Sequence, residues 1–530
     1  MKIELTSRDF ILFLLIIVGF VFILESNTSL KTPIIFGDEG FHAGIARWMA
    51  ENKEYPQWNL LGYTKVFKTN YARPPLFNLL EAGFLFLFGG QEVILKILPP
   101  LIGALIGIVF YILVKRLYSR ELGLISTLIL IGIPSFVTYT VLVFDEILLV
   151  LNMLIFLLSF LLAIKENRKK YWALAAIFGG LSILTKNAGI ILFLFIPLAL
   201  SYLIFKEKKI SFYFKHLIAL LIIITLISGP FFLRNLVFYN APICYSPFGL
   251  IDINGCVEKT FEETLEFETR TLAGGTENSI TRFGLLNFID FAYGNHWFIL
   301  IGAIGGFIVF LTKSSDKVNS LVLIMLIFSV YSLYVTFYRV EDAARQLLFW
   351  SALIIMIAGT YWVEIYKFLQ RRQKYLGLLV IVAILFFSYK GVTAKLTVME
   401  SVKQFSPSFF EACDWAKENL PKDVVIMTFW GHRAGYNCQR TISPGWADIR
   451  LNEDPEKMVD VARVHGITHF FIQKFSITQQ PSRESYSLNF VQLLENNADK
   501  FEKVFENGPP LNQCLQQGGC DGNIIYKVIY

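Results

Sequence analysis

Runs of about 20 apolar residues, each long enough to cross a hydrocarbon core about 30 Å thick as an α-helix, recur through the first part of the chain and then stop. Such a pattern leaves few folds open. Backbone N–H and C=O groups in lipid must be satisfied within the segment, so repeated runs of this length form a bundle of spanning helices. Composition agrees: 55% of residues are hydrophobic, 17% are charged and the mean hydropathy is +0.53, outside the range of a water-soluble domain. From 392 to 530 polarity is ordinary and the apolar runs are short. The expectation is a polytopic α-helical membrane domain over 1–391 and a soluble α/β domain over 392–530.

Lys and Arg collect in short cytoplasmic loops, and five basic clusters separated by pairs of apolar segments set the topology. The clusters are Lys115 with Arg116 and Arg120, Lys165 to Lys170, Lys206 to Lys215, Lys313 to Lys317, and Lys367 to Lys374. Placing these inside, with Lys2 and Arg8, gives eleven spans: 10–24, 94–114, 122–140, 146–164, 172–185, 188–205, 216–234, 296–312, 318–337, 346–366 and 375–391. The N-terminus is then cytoplasmic and the C-terminal domain extracytoplasmic, in a multi-pass plasma-membrane protein. Residues 75–89, PLFNLLEAGFLFLFG, are short for a span and contain Glu81. They read as an interfacial or re-entrant helix inside a first outer loop of 25–92. No small-residue cleavage pattern follows the first run, which therefore reads as a retained span. The net charge of +6 follows from the basic loops and asks for no nucleic-acid partner.

All six cysteines avoid the expected spans and cytoplasmic loops. Cys244 and Cys256 share an outer loop, and Cys413, Cys438, Cys514 and Cys520 lie in the terminal domain. An even number in an oxidising setting, with no zinc-type spacing, points to structural disulfides of open connectivity.

Under this topology charge converges on the outer leaflet from six segments. Asp38 and Glu39 stand in FGDEGFHAG, Arg73 in YARPPLFN, Asp145 and Glu146 in VFDEILL, Lys186 in LSILTKNAG, Arg234 in FFLRN and Arg345 in EDAARQLL. Each alone reads equally as an interfacial anchor or a helix cap. A charge at a helix centre costs at least about 2.5 kcal/mol, so residues near that depth usually pair or serve a pathway. Together, acids and bases point to an anionic substrate: Arg and Lys bind phosphate through charge-assisted hydrogen bonds, while carboxylates do chemistry or hold a cation. His42 follows Asp38 by four residues, on one face if the segment is helical. That spacing offers a metal ligand or a proton relay, against a satisfied surface histidine. Two ligands do not define a site, and a divalent metal cofactor is left open.

These motifs resemble, in order, those of the GT-C superfamily of membrane glycosyltransferases, in particular the branch of protein O-mannosyltransferases and the lipid A aminoarabinose transferase. FGDEGFHAG is similar to the DE signature of the first outer loop, YARPPLFN to the KPPL or HPPL element, VFDEILL to the second acidic motif and LSILTKNAG to the LTK element. PFFLRNLVFYNAP and EDAARQLL resemble two later segments. The resemblance implies transfer of a sugar from a polyprenyl phosphate donor to a glycan, lipid or protein acceptor, usually with inversion. It implies Asp38 as general base and Glu39 as its support. Arg73, Lys186, Arg234 and Arg345 then hold the donor phosphate, and Asp145 orients the acceptor or a basic partner. Where relatives have Lys or His before the two prolines this chain has Arg73, whose job is ionic, since a guanidinium gives up no proton. Ala72 stands where aminoarabinose transferases can have an acid contributing to a metal site, and the WWDYG motif of oligosaccharyltransferases is missing.

In the terminal domain, helix signals over SPSFFEACDWAKENL and DPEKMVDVARVHG alternate with strand signals over VVIMTF and ITHFFIQ. The intervening WGHRAGYNCQR reads as a loop, with His432, Arg433 and Tyr436 placed to touch an acceptor or simply to pack. The rival function, a transporter or flippase for a lipid-linked sugar, predicts inverted repeats and helices broken at the midplane. No such repeat is visible, and the charges lie on one face.

Overall fold

The structure, a computed structural model, describes residues 7–34, 38–53, 55, 74–239, 242, 297–312, 319–325, 348–373, 375–401, 407–428, 431–443, 449, 454–478, 486–516 and 520–530. Arg73 and Arg345 lie outside these residues, as do Cys244, Cys256 and the Lys313 to Lys317 cluster.

The membrane part comprises α1 (Ser7–Lys31), α2 (Glu39–Asn52), α3 (Leu76–Phe88), α4 (Glu92–Leu117), α5 (Arg120–Gly132), α6 (Pro134–Val141), α7 (Glu146–Glu166), α8 (Lys169–Thr185), α9 (Leu192–Glu207), α10 (Ile210–Tyr239), α11 (Trp297–Thr312), α12 (Leu348–Arg372) and α13 (Leu376–Ser401). Among the described residues seven helices are long and apolar enough to cross a membrane, or eight if the bent pair α5–α6 is one span. The expected eleven is not reached: α8 has 17 residues, α11 has 16, and the segment expected at 318–337 is described only over 319–325. Helix α3 is likewise a short apolar helix, as expected for the segment around Glu81.

The expected span at 122–140 is broken rather than straight, with α5 and α6 meeting at 64°. Pro134 supplies no N–H and drives Ile133 into an extended conformation (φ −78°, ψ 135°), so the helix stops and restarts. At the same bend Gly132 faces Ser388 of α13, whose hydroxyl donates to the Leu128 carbonyl at 3.0 Å. A Cβ on Gly132 would collide with Ser388, so the crossing of α5 and α13 needs glycine there.

Helix α7 is the axis of the bundle: 89% of its spanning window is buried inside the protein, and it packs on α4, α8 and α12. Two of the basic loops meet at one end of the bundle, where Lys165 donates to the Arg116 carbonyl at 3.2 Å. The C-terminal region caps the opposite end, beside the start of α2.

Past 391, α13 runs on to Ser401, and α14 (Pro407–Asn419) opens the C-terminal α/β region. Its helices α15 (Gly431–Cys438), α16 (Pro455–Val464), α17 (Leu488–Asn496) and α18 (Leu511–Gln516) accompany strands β1 (Val425–Met427), β2 (Thr441–Ser443), β3 (His469–Gln473), β4 (Ile477–Thr478), β5 (Tyr486–Ser487), β6 (Phe501–Asn507) and β7 (Asn523–Val528). The main sheet has the order β2-β1-β3-β7-β6; β1 is parallel to β2 and β3, while β7 is antiparallel to β3 and β6. Strand β3 is buried along its whole length, and Met427, Phe470, Ile524 and Tyr526 form the core on one face. Disulfides join Cys413 to Cys438 and Cys514 to Cys520.

Candidate active site

Asp38 takes the N-cap position of α2 and Glu39 its first turn, where the positive end of the helix dipole favours carboxylates. Four residues on, His42 is buried rather than at the surface, 3% exposed. The reason is α3, which closes over it. Asn78 Nδ2 donates to the His42 carbonyl at 3.0 Å, Asn78 Oδ1 lies 3.4 Å from Nδ1 of the ring, and the Phe77 ring meets the imidazole edge-on at 5.3 Å. The ring packs between Phe41 of its own helix and Phe77 of α3.

Glu39 is buried and reaches across to the α6–α7 connection. Leu142, extended after α6 (φ −94°, ψ 150°), begins a connection in which the Val143 N–H points to Glu39 Oε1 at 2.9 Å. An amide buried here costs about 1–3 kcal/mol if unpaired, and Glu39 removes that cost. The first acid motif is thereby fixed to the second, because Asp145 and Glu146 follow within three residues.

Lys186 ends α8 in an extended conformation and is followed by a short 3-10 turn, Asn187–Ile191. A Cβ on Gly189 would lie 2.6 Å from the Ser182 carbonyl carbon, so this tight turn needs glycine. Asn152 of α7 donates to Thr185 at 3.0 Å and locks the helices together just before the lysine. The ammonium then lies 3.2 Å from Asp145 Oδ1 and bonds Glu146 Oε1, with all three side chains less than a fifth exposed. Asp145 is thus paired with a base in this structure.

Arg234 reaches the segment after α2: its guanidinium carbon stands 4.8 Å from the centre of the Tyr55 ring, and Nη1 donates to Asn235 at 3.2 Å. It thus meets the first outer loop at Tyr55.

Glu81 was legible in the sequence only as an obstacle to a span. Its carboxyl is fully buried, neither oxygen has a hydrogen-bond partner among the described residues, and Asp145 and Glu39 are near enough for their charge to act on it. The sequence signal was available: Asn78 and Glu81 are three residues apart on an otherwise apolar helix, hence on one face, and that face looks toward α2 and the Asp145 carboxylate. Among the described residues Lys186 is surrounded by acids: Asp145 and Glu146 directly, with Glu39 and Glu81 nearby. Among the described residues no three His, Cys, Asp or Glu side chains are arranged to hold a metal ion, so no step is assigned to one.

The predicted loop WGHRAGYNCQR is instead helical over α15, and Tyr436 is buried against the membrane domain. Its hydroxyl donates to Glu92 at 3.3 Å, and its ring lies 5.5 Å from the Arg47 guanidinium carbon. Arg433 offers its carbonyl to Asn437 at 2.9 Å, and the His432 side chain lies outside the described residues.

Residues 72–231 match the family model described as dolichyl-phosphate-mannose-protein mannosyltransferase. Comparison with curated proteins gives no match. Among solved structures, ArnT from Cupriavidus metallidurans bound to undecaprenyl phosphate superposes with a TM-score of 0.60 at 13% identity, covering 98% of each chain. The Archaeoglobus fulgidus oligosaccharyltransferase complex with zinc and sulfate gives 0.60 at 16% identity, over 86% of this chain and 68% of that one. The same organism's AglB, in complex with an inhibitory peptide and a dolichol-phosphate, gives 0.60 at 13% identity over 93% and 73%. The fold is that of the GT-C membrane glycosyltransferases, and this is an integral membrane protein of that architecture. Within the class, the chain resembles the branch of protein O-mannosyltransferases and aminoarabinose transferase.

Proposed function

We propose that the protein transfers a sugar from a polyprenyl phosphate donor to a hydroxyl of a lipid, glycan or protein acceptor at the extracytoplasmic face of the plasma membrane. The observation that carries this reading is the bond from the Val143 N–H to Glu39, which joins the Asp38–Glu39 turn to the Asp145–Lys186 pair at one end of the bundle. In this reading the C-terminal α/β region stands outside the cell and the basic loops inside.

Asp38 takes the proton of the acceptor hydroxyl as the oxygen attacks the anomeric carbon, general base catalysis at the point where nucleophilicity is needed. The glycosidic C–O bond to phosphate breaks as the new C–O bond forms on the opposite face. Polyprenyl phosphate leaves with an additional negative charge. Lys186 stabilises that charge in this reading, which its fixed position supports: Asp145 and Glu146 hold it beforehand, so little reorganisation accompanies the step. Arg73, Arg234 and Arg345 are assigned to the same phosphate, and Glu39 orients the turn that carries Asp38.

Native mass spectrometry of the purified protein tests the donor: a copurified polyprenyl phosphate or its sugar conjugate is expected. Incubation with a labelled polyprenyl-phosphate sugar and a membrane extract tests the reaction. Label that crosses a vesicle membrane still attached to its lipid, with none transferred, would replace this reading with translocation.

A further inference from the structure

Helix α15 is anchored at its C-terminal end to α14 twice over. Cys438, its last residue, is bonded to Cys413 of α14, and Arg440 donates to the carbonyls of Lys417 and Leu420 at 2.7 and 2.6 Å. Both cysteines are buried, at 1% and 0% exposure, so this junction is part of the core of the α/β region.

The opposite face of α15 grips the membrane domain at three points. Asn437 Nδ2 donates to the Ile34 carbonyl at 3.0 Å, three residues past the end of α1 and four before Asp38. Tyr436 donates to Glu92 in the first turn of α4, and Glu92 in turn holds Lys96 at 2.5 Å. Burial and the Glu92 carboxylate push the Tyr436 phenol up, so it keeps its proton and remains the donor. Arg47, two turns after Glu39 on α2, lies over the Tyr436 ring. The contacts therefore bracket Asp38 and Glu39, one before them in the chain and one after them on their own helix.

We infer that α15 is a positioning element for the site, with Asn437 and Tyr436 fixing the entry and the axis of the helix that carries Asp38 and Glu39. What those two acids do rests on the proposed function; that α15 sets their placement does not. The C-terminal region is thus coupled to the chemistry through two side chains that touch no substrate. Positional errors of about 1 Å in a catalytic group can cost about a hundredfold in rate.

The test uses the full-length protein in lipid nanodiscs, as wild type, as Tyr436→Phe and as the Asn437→Ala/Tyr436→Phe double variant. Hydrogen–deuterium exchange over residues 39–49 is expected to quicken about tenfold or more in the double variant, because local opening loses its restraint. With a labelled polyprenyl-phosphate sugar, kcat is expected to fall about tenfold while KM for the donor changes less than about twofold. Tyr436→Phe keeps the ring under Arg47, leaves packing intact and shows the same changes at smaller size, so the inference does not depend on the double variant folding. Exchange at the wild-type rate overturns it, as does a rate loss that appears only in KM. A wild-type protein without transfer overturns the transferase reading instead, and the exchange measurement still decides this one.

Discussion

Lys186 lies 3.2 Å from Asp145 Oδ1, and the same ammonium bonds Glu146, so one lysine from α8 serves two acids at the head of α7. A cation in that position is neither a snorkelling anchor nor free to roam. It is a fixed charge in a protein interior, and its removal has consequences beyond binding.

Lys186→Met is expected to cost about 3–5 kcal/mol of stability, the range for leaving buried charge unpaired. Adding Glu146→Gln in the same chain should recover part of that loss without restoring transfer. Thermal unfolding in detergent, followed by tryptophan fluorescence, reads the stability; equal stability of the single variant and wild type would show that the ion pair is not held.

Asp38→Asn is expected to lower transfer by about a hundredfold or more, the scale of general base catalysis, with normal folding and donor binding. Full transfer from a labelled donor by this variant would remove Asp38 from the mechanism.

Glu39 separates acid from scaffold. Its Gln variant still offers an oxygen to the Val143 N–H and should unfold near the wild-type midpoint, whereas Glu39→Ala leaves that amide buried and should cost about 1–3 kcal/mol. If both unfold alike, the bond contributes nothing.

His469 on β3 gives a pH signature confined to the C-terminal region. Burial, aided by Lys527, depresses its pKa to about 4, while the unfolded chain keeps a value of about 6.5. Between these values the unfolded state binds the extra proton, so stability is full above the unfolded pKa and declines as pH falls toward 4. Chemical unfolding followed from pH 7.5 to 4.5 should show this decline, and His469→Gln should flatten it.

The helix and strand order around β1 and β3 was legible because apolar periodicity and the closing Pro421 and Gly466 mark those elements. Helix α15 was not: GHRAGYNC has two glycines and little apolar periodicity, and its helical state depends on the bond to Cys413 and on α2 and α4. The acid and base motifs were readable as types and as an order. Their pairing was not, since whether Asp145 faces an acceptor or Lys186 depends on how α7 and α8 pack. The break at Pro134 was in plain view, but the unbroken apolar run around it outweighed the proline. The extended stretch that Glu39 meets lies at the other end of α6, where Leu142 leaves the helix.

The hold on Glu39 comes from a main-chain donor, and every residue but proline supplies one. Residue 143 can therefore drift among many side chains without releasing the acid, whereas a side-chain clasp would need two positions to change in concert. An acidic turn secured in this way is robust to divergence, which suits a fold recognisable between chains sharing only 13% of their residues.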